Sequence, residues 1–327
     1  MTDVFAAAAF GGPGWSPRSK PLCQEIGTIW SACGVDTEWS PLRAVLLHRP
    51  GVELETAVDP DRNQMLAPLD ANSALQQHDA LSQAYRDAGV QVHYVEPSRT
   101  PPVNLMFVAD LMFMTPEGAI LARPASTIRA GEERLVARRL ADLGIPILRT
   151  IRGPGTFEGA DAVWLGPRSV LLAIGLRTNA EGSAQVAGLL QEMGIETITV
   201  GLSHGTMHLM GQLRFADRDL AIAWPGRVPY SAVQALQARG YNVLFLPDEA
   251  EAKHGMAHNF VTLGPRQILM AAGNPITQGF LEQAGVRCLT VQVDELIKAA
   301  GGIGCLTGIL QRETLESSLC RNQAPDV

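Results

Sequence analysis

Apolar positions along the chain follow two alternating patterns. Short runs of Leu, Val and Ile, of strand length, separate longer stretches in which apolar residues return every three or four positions. Residues 42–47 (LRAVLL) read as a buried strand. Residues 72–88 read as a helix with Leu75, His78, Leu81 and Tyr85 on one face, and residues 90–95 return as a strand. Residues 131–143 form a helix with an Arg/Glu face, stopped by Gly144 and Pro146. Residues 180–193 and 230–239 repeat the style, each ending in Gly before a strand at 196–200 and 242–246.

The same pattern contains a repeat. Residues 163–175 read VWLGPRSVLLAIG and residues 261–273 read VTLGPRQILMAAG, an offset of 98. Each is an apolar run, a Gly-Pro turn and a second apolar run, which is a β-hairpin pattern. A helix and another strand follow each. Residues 111–123 (LMFMTPEGAILAR) are a weaker third copy with Pro116 in the turn. The predicted unit is hairpin, helix, strand. Such a unit cannot bury its apolar face alone, so several must close around a common core.

Composition narrows the class. The 327 residues are 46% hydrophobic and 18% charged, enough apolar material for a large core and too little charge for general disorder. Gly (32) and Pro (21) supply many turns. A net charge of −7 argues against a general nucleic-acid or anionic-membrane binder. No apolar run reaches the ~20 residues needed to span a bilayer. The first residues (MTDVFAAAAFGGPGW) lack a basic leader and carry Asp3, so a secretory signal is not expected. The five cysteines, Cys23, Cys33, Cys288, Cys305 and Cys320, are an odd number that suits thiols in a cytoplasmic location. Residues 1–36 read as an N-terminal arm or lid, residues 37–310 as a single catalytic domain and residues 311–327 as a polar tail.

Candidate chemistry is scattered. The strip GIGCLTG (residues 302–308) has the glycines of a dinucleotide loop, but a helical run precedes it where a strand is required. It leaves Cys305 in a Gly-rich loop. Most free cysteines are inert and buried, so the loop alone does not make a nucleophile. Two H-x-x-x-H spacings, His204/His208 and His254/His258, lie in turns and loops, a poor setting for zinc. Asp110 stands among Met106, Phe107, Leu111, Met112 and Phe113, where an unpaired carboxylate is costly, so it needs a cationic partner. Residues 157–161 (FEGAD) add Glu158 and Asp161. Buried carboxylates, a histidine and a thiol together suggest a cation site. A cation beside a thiol lowers its pKa, and attack would then fall on a positively charged carbon such as that of a guanidinium.

In chain order these segments resemble the guanidino-group-modifying superfamily of arginine deiminases, dimethylarginine dimethylaminohydrolases, arginine dihydrolases and amidinotransferases. Residues 104–110 (NLMFVAD) resemble N-x-x-F-x-x-D. Arg123-Pro124 resembles the R-P after the next strand. Residues 157–161 resemble the E-G-G-D pair. Residues 175–179 (GLRTN) resemble the R-T-N segment. His208-Leu209 resembles the catalytic histidine, His258-Asn259 precedes the last hairpin, and residues 301–305 (GGIGC) resemble the nucleophile loop. The resemblance covers residues 37–310. It implies an α/β fold, a five-bladed α/β propeller (pentein) of pseudo-repeated ββαβ units, in agreement with the repeat.

The resemblance also implies a reaction. Cys305 attacks the guanidinium carbon, His208 moves protons and Glu158 completes the catalytic set. Asp110 and Glu158 clamp the cation, Arg177 and Arg123 bind the substrate carboxylate, Asn104 contacts the substrate, and Asp161 holds His208 or its backbone. The expected activity is a cysteine-dependent hydrolase of the guanidino group of arginine or a substituted arginine. It runs through an S-alkylthiouronium intermediate and releases a citrulline-type ureido product with ammonia or an amine. An amidinotransferase and an arginine dihydrolase giving ornithine are the alternatives. No cofactor and no metal are implied. The partner is a small guanidino compound, not nucleic acid or membrane, and a homodimer stays open. Three positions depart from the superfamily pattern. Met210 and Gly304 stand where deiminases usually have Asp and often His, and Ala109 replaces a Glu common in dimethylarginine hydrolases. Met210 and Gly304 resemble the dimethylarginine hydrolases, whereas Ala109 and the deiminase-like Asn104 do not, so the subfamily is mixed and both a substituted guanidine and free arginine stay open.

Overall fold

The computed structural model describes residues 4–57 and 59–315. Its described residues form five three-stranded sheets of one design. β1 (Leu42–Leu47) leads through α1 (Ala71–Asp87) to β2 (Gln91–Tyr94). The hairpin β3 (Met112–Thr115) and β4 (Gly118–Leu121) leads through α2 (Glu133–Asp142) to β5 (Ile147–Thr150). The next blade is β6 (Ala162–Gly166), β7 (Ser169–Ile174), α3 (Ala180–Glu192) and β8 (Glu196–Gly201). It is followed by β9 (Leu213–Asp217), β10 (Leu220–Ala223), α4 (Tyr230–Ala238) and β11 (Asn242–Phe245). The last complete blade is β12 (Val261–Gly264), β13 (Gln267–Ala271), α5 (Pro275–Gln283) and β14 (Arg287–Val291). In each of these hairpin blades the two hairpin strands pair antiparallel, and the third pairs parallel to the middle one. A parallel return needs a crossover, which the helix supplies.

β15 (Gly308–Arg312) closes the ring by pairing antiparallel with β1. It gives the first sheet the strand that the chain's own order does not supply, so one blade is shared between distant segments. The first strands β3, β6, β9, β12 and β15 surround an internal cavity of about 70 Å³. Hairpin strands such as β3, β4 and β10 are buried throughout, while third strands such as β5 and β11 are exposed at both ends and half-buried between. Adjacent blades interlock through side chains. Phe113 of β3 stacks on Trp164 of β6 at 5.5 Å, and the Trp164 indole N–H donates to the Met114 carbonyl.

The strands and helices stand within a few residues of their sequence-based positions. The N-terminal stretch differs. Cys33, Val35 and Asp36 are buried, and the Gly34 N–H donates to the Leu310 carbonyl, so the expected arm joins the core before residue 37. Of the expected polar tail, residues 311 and 312 end β15, and residues from 316 on lie outside those described. Cys33, Cys288 and Cys305 are free thiols. Cys23 is disulfide-bonded, which corrects the expectation of thiols alone, and Cys320 lies outside the described residues. Among the described residues no helix is long and apolar enough to cross a membrane.

Candidate active site

The chemical side chains stand where each blade's first strand begins. Asp110 lies in the turn Val108–Leu111 before β3. Glu158 and Asp161 bracket the turn before β6, His208 precedes the turn before β9, and Asn259 stands just ahead of β12. Cys305 rides on the single helical turn Ile303–Leu306 before β15. Because the first strands ring the axis, their leading ends converge. Gly159 makes the approach of two of these turns feasible. A Cβ there would overlap the carbonyl oxygens of Met112 and Ala109.

Glu158 is the electrostatic hub. Its Oε2 lies 2.7 Å from His208 Nε2, its Oε1 accepts from the Ala125 N–H at 3.1 Å, and Arg177 Nη1 approaches at 3.4 Å. Burial by itself would raise this carboxyl, but His208, Arg129 and Arg177 outweigh it and hold its pKa well below the usual carboxylate range. For His208, burial favours the neutral ring. The carboxylates of Asp110, Glu158 and Asp161 overcome that and push its pKa up to about 9. At neutral pH the pair is therefore imidazolium and carboxylate.

Arg129 is buried against the same acids. Its Nη1 lies 2.5 Å from Asp110 Oδ2 and 3.7 Å from Glu158 Oε2, and Glu132 accepts from its Nε at 2.9 Å. Among the described residues, two acceptors on the cavity wall make no hydrogen bond: Asn104 Oδ1, and Asp110 Oδ1, which lies 3.7 Å from His208 Nδ1. Donor atoms of Asp110, Glu158 and His208 lie within 4.8 Å of one another, a spacing that a divalent ion could bridge. The cationic nitrogen of Arg129 already stands between the carboxylates, however. The two oxygens without a hydrogen bond can accept N–H donors, which a guanidinium carries in a planar fork.

Asn259 holds Cys305 at two points. Its Nδ2 donates to Cys305 Sγ at 3.1 Å, and its Oδ1 accepts from the Cys305 N–H at 3.2 Å. Burial raises the Cys305 thiol and the Asp110 charge raises it further, against the lowering effect of Asn259. A second cation lies under the loop. Arg214 is buried with Nε and Nη2 unpartnered, and a Cβ on Gly304 would collide with Nη2. The absence of a side chain at residue 304 is what leaves room for that guanidinium.

Two cavities meet at His208 and Cys305. A narrow one is lined by Asn104, Asp110, Arg129, Arg177, His208 and Cys305, among others. A wider one, about 290 Å³, shares Met207, His208, Ala300 and Cys305 with it. Of the five non-glycine residues with positive φ among the described residues, Gln64, Met256 and Ala300 line these cavities. Backbone held in this costly region gathers at ligand sites.

A family model described as N,N dimethylarginine dimethylhydrolase, eukaryotic, matches residues 54–311. The chain belongs to this family. Among its relatives is the N(G),N(G)-dimethylarginine dimethylaminohydrolase of Streptomyces coelicolor, 28% identical over 82% of this chain and 96% of that protein. The enzyme of the same name from Pseudomonas aeruginosa is 26% identical over 76% and 93%. A structure of the Pseudomonas aeruginosa enzyme, a cysteine-to-serine mutant complexed with citrulline, superposes with a TM-score of 0.70 at 23% identity. It covers 83% of this chain and 99% of that one, and supports the five-fold pseudo-repeat. The dimethylarginine dimethylaminohydrolases are hydrolases of carbon–nitrogen bonds in linear amidines, and this chain is of that enzyme class.

Within this family member, Cys305, His208, Asp110, Asn104 and Arg177 share the narrow cavity, with Glu158 bonded behind His208. One residue expected at the substrate, Arg123, lies elsewhere. Arg123 is exposed, and its Nη1 donates to the Gly155 carbonyl at 3.0 Å. Arg129, six positions on, stands at the cavity wall instead, because the chain turns inward through the 3-10 turn Thr127–Arg129. Asp161 is fully buried behind the wall. It accepts from the Thr178 hydroxyl at 2.6 Å and from the Leu209 N–H at 3.1 Å, so it fixes the backbone beside His208 rather than a ligand. Arg129 and Arg214 were not legible in sequence, since nothing in their neighbours marks them as buried. Asn259 stood in a recognised motif, but its bond to Cys305 crosses 46 residues.

Proposed function

We propose that the chain hydrolyses the guanidino group of arginine or an N-substituted arginine through a covalent intermediate on Cys305. The carrying observation is a pair of acceptors that make no hydrogen bond among the described residues, Asp110 Oδ1 and Asn104 Oδ1, in a cavity that also holds Cys305, protonated His208 and two arginines. A substrate guanidinium would donate to Asp110 and offset its charge. That removes the influence that raises the Cys305 thiol and leaves the Asn259 N–H to stabilise the sulfur as thiolate. Arg177 and Arg129 supply the positive charge for the substrate carboxylate.

The Cys305 sulfur attacks the guanidinium carbon. The bond to one terminal nitrogen breaks, and that nitrogen takes the proton of His208. The ring, now neutral, draws a proton from water, whose oxygen attacks the thiouronium carbon. The carbon–sulfur bond breaks, and a ureido product leaves with the thiolate restored. Glu158 stabilises the imidazolium form on both passes.

The test is mass spectrometry of protein and products after incubation with L-arginine, Nω-methyl-L-arginine and Nω,Nω-dimethyl-L-arginine. Citrulline with the matching amine, and no turnover by Cys305→Ser, is the expected result. Ornithine would indicate a dihydrolase, and a new guanidine formed only with an added amine would indicate an amidinotransferase. Undiminished turnover by Cys305→Ser would overturn the nucleophile assignment.

A further inference from the structure

The wider cavity beside Cys305 is larger than a methyl-substituted guanidine requires. It holds about 290 Å³, whereas an apolar cavity of ~150 Å³ already accommodates benzene. Its walls include Met207, Met210, Trp224 and Met256. Thioethers adapt to varied apolar shapes, and the indole supplies a flat face. The chamber joins the narrow cavity at Met207, His208, Ala300 and Cys305, the residues around the proposed reacting carbon. Arg129 and Arg177, the cations assigned to the substrate carboxylate, line the narrow cavity and not the chamber, so the amino-acid end of the substrate belongs in the narrow cavity. The chamber adjoins His208 and Cys305, so it offers a substituent on the terminal nitrogen room to extend past His208. Arg227, its guanidinium 5.2 Å from the centre of the Trp224 ring, stands at the same wall.

We propose that this chamber is a leaving-group subsite and that the enzyme takes Nω-substituted guanidino amino acids whose departing amine bears an apolar group larger than methyl, up to an aromatic ring. The inference rests on the hydrolase reading above and names its substrate class. The step is unchanged: a sulfur–carbon bond forms and the carbon–nitrogen bond to the substituted nitrogen breaks. His208 protonates that nitrogen, and water later supplies the ureido oxygen. The net reaction is substituted guanidinium plus water to ureido product plus protonated amine.

The experiment compares kcat/KM for amine release from Nω-methyl-, Nω-propyl- and Nω-benzyl-L-arginine. Benzyl turnover equal to or above methyl turnover is expected. Gly211 lines the chamber, and a Cβ there meets nothing within 4 Å, so Gly211→Phe fills open space. That variant should lower the benzyl-to-methyl ratio at least ~10-fold. Gly211→Leu repeats the test with a smaller group and a smaller effect. If methylamine is released but benzylamine release is more than ~10-fold slower, the subsite is wrong and the hydrolase reading stands. Equal losses on both substrates in the Gly211 variants would likewise overturn it. If no substrate releases an amine, both readings fall.

Discussion

The blades built on β6–β7 and β12–β13 have nearly the same hairpin sequence, yet they brace different side chains of the site. In both, the residue six positions ahead of the turn proline reaches out of its blade to hold a neighbouring segment. In the first it is Asp161, accepting from the Leu209 N–H beside His208. In the second it is Asn259, accepting from the Cys305 N–H and donating to Cys305 Sγ. The weaker third copy puts Asp110 at that same position ahead of Pro116. One scaffold position thus does three jobs, and side-chain chemistry separates them. Asp161 meets two donors, so a carboxylate suits it. Asn259 must donate to sulfur, where a carboxylate would set negative charge against a thiolate.

The largest break in this comparison is Asn259→Asp. It removes the donor and adds a charge at Sγ, so kcat should fall on the order of 10³-fold. Iodoacetamide alkylation of Cys305 should also need higher pH, and an unmoved alkylation profile would refute the role. Asp161→Asn is the milder mirror change. It keeps the shape but turns a donor toward one of two donors, with a loss of about 10- to 100-fold in kcat. Since Asp161 helps raise His208, the His208 pKa measured by NMR should fall.

A pair of glycine variants sharpens the contrast in stability. A Cβ on Gly159 meets backbone oxygens that cannot move aside, while one on Gly304 meets the end of the Arg214 side chain. Gly159→Ala should therefore cost more of the ~1–3 kcal/mol typical of overpacking, read from urea denaturation midpoints. Gly304→Ala should disturb Cys305 alkylation more than the midpoint.

The smallest effect is on pH. The folded pKa of His208 lies above its ordinary value, about 9 against 6.5. Its stabilisation is therefore complete below pH 6.5 and is lost as pH rises toward 9. In the substrate-free protein Tm should decline across that window, and His208→Gln should flatten the decline.

The hairpin repeat was legible where a Gly-Pro turn marks it, in the blades of β6–β7 and β12–β13. The blade of β9–β10 turns through Asp217-Arg218-Asp219 and escaped notice for want of that signal. The first blade could not be read locally, because β15 and β1 pair across nearly the whole chain. The segment Arg177-Thr178-Asn179 shows the same limit within three residues. Asn179 caps α3 through the Gly182 N–H, which a sequence displays. That Thr178 bonds Asp161 and Arg177 meets Glu158 depends on another blade's position.

By itself the sequence determined the repeating unit, the strand and helix positions and the kinds of reactive group, because periodicity, turns and side-chain chemistry are local properties. Only the tertiary structure decided that Arg129 rather than Arg123 reaches Asp110, that Asn259 grips the sulfur, that Arg214 fills the space beside Gly304 and that a wide chamber opens behind His208. Those facts depend on distances between blades, and such distances are set when the ring closes and its first strands bring their leading ends to a common axis.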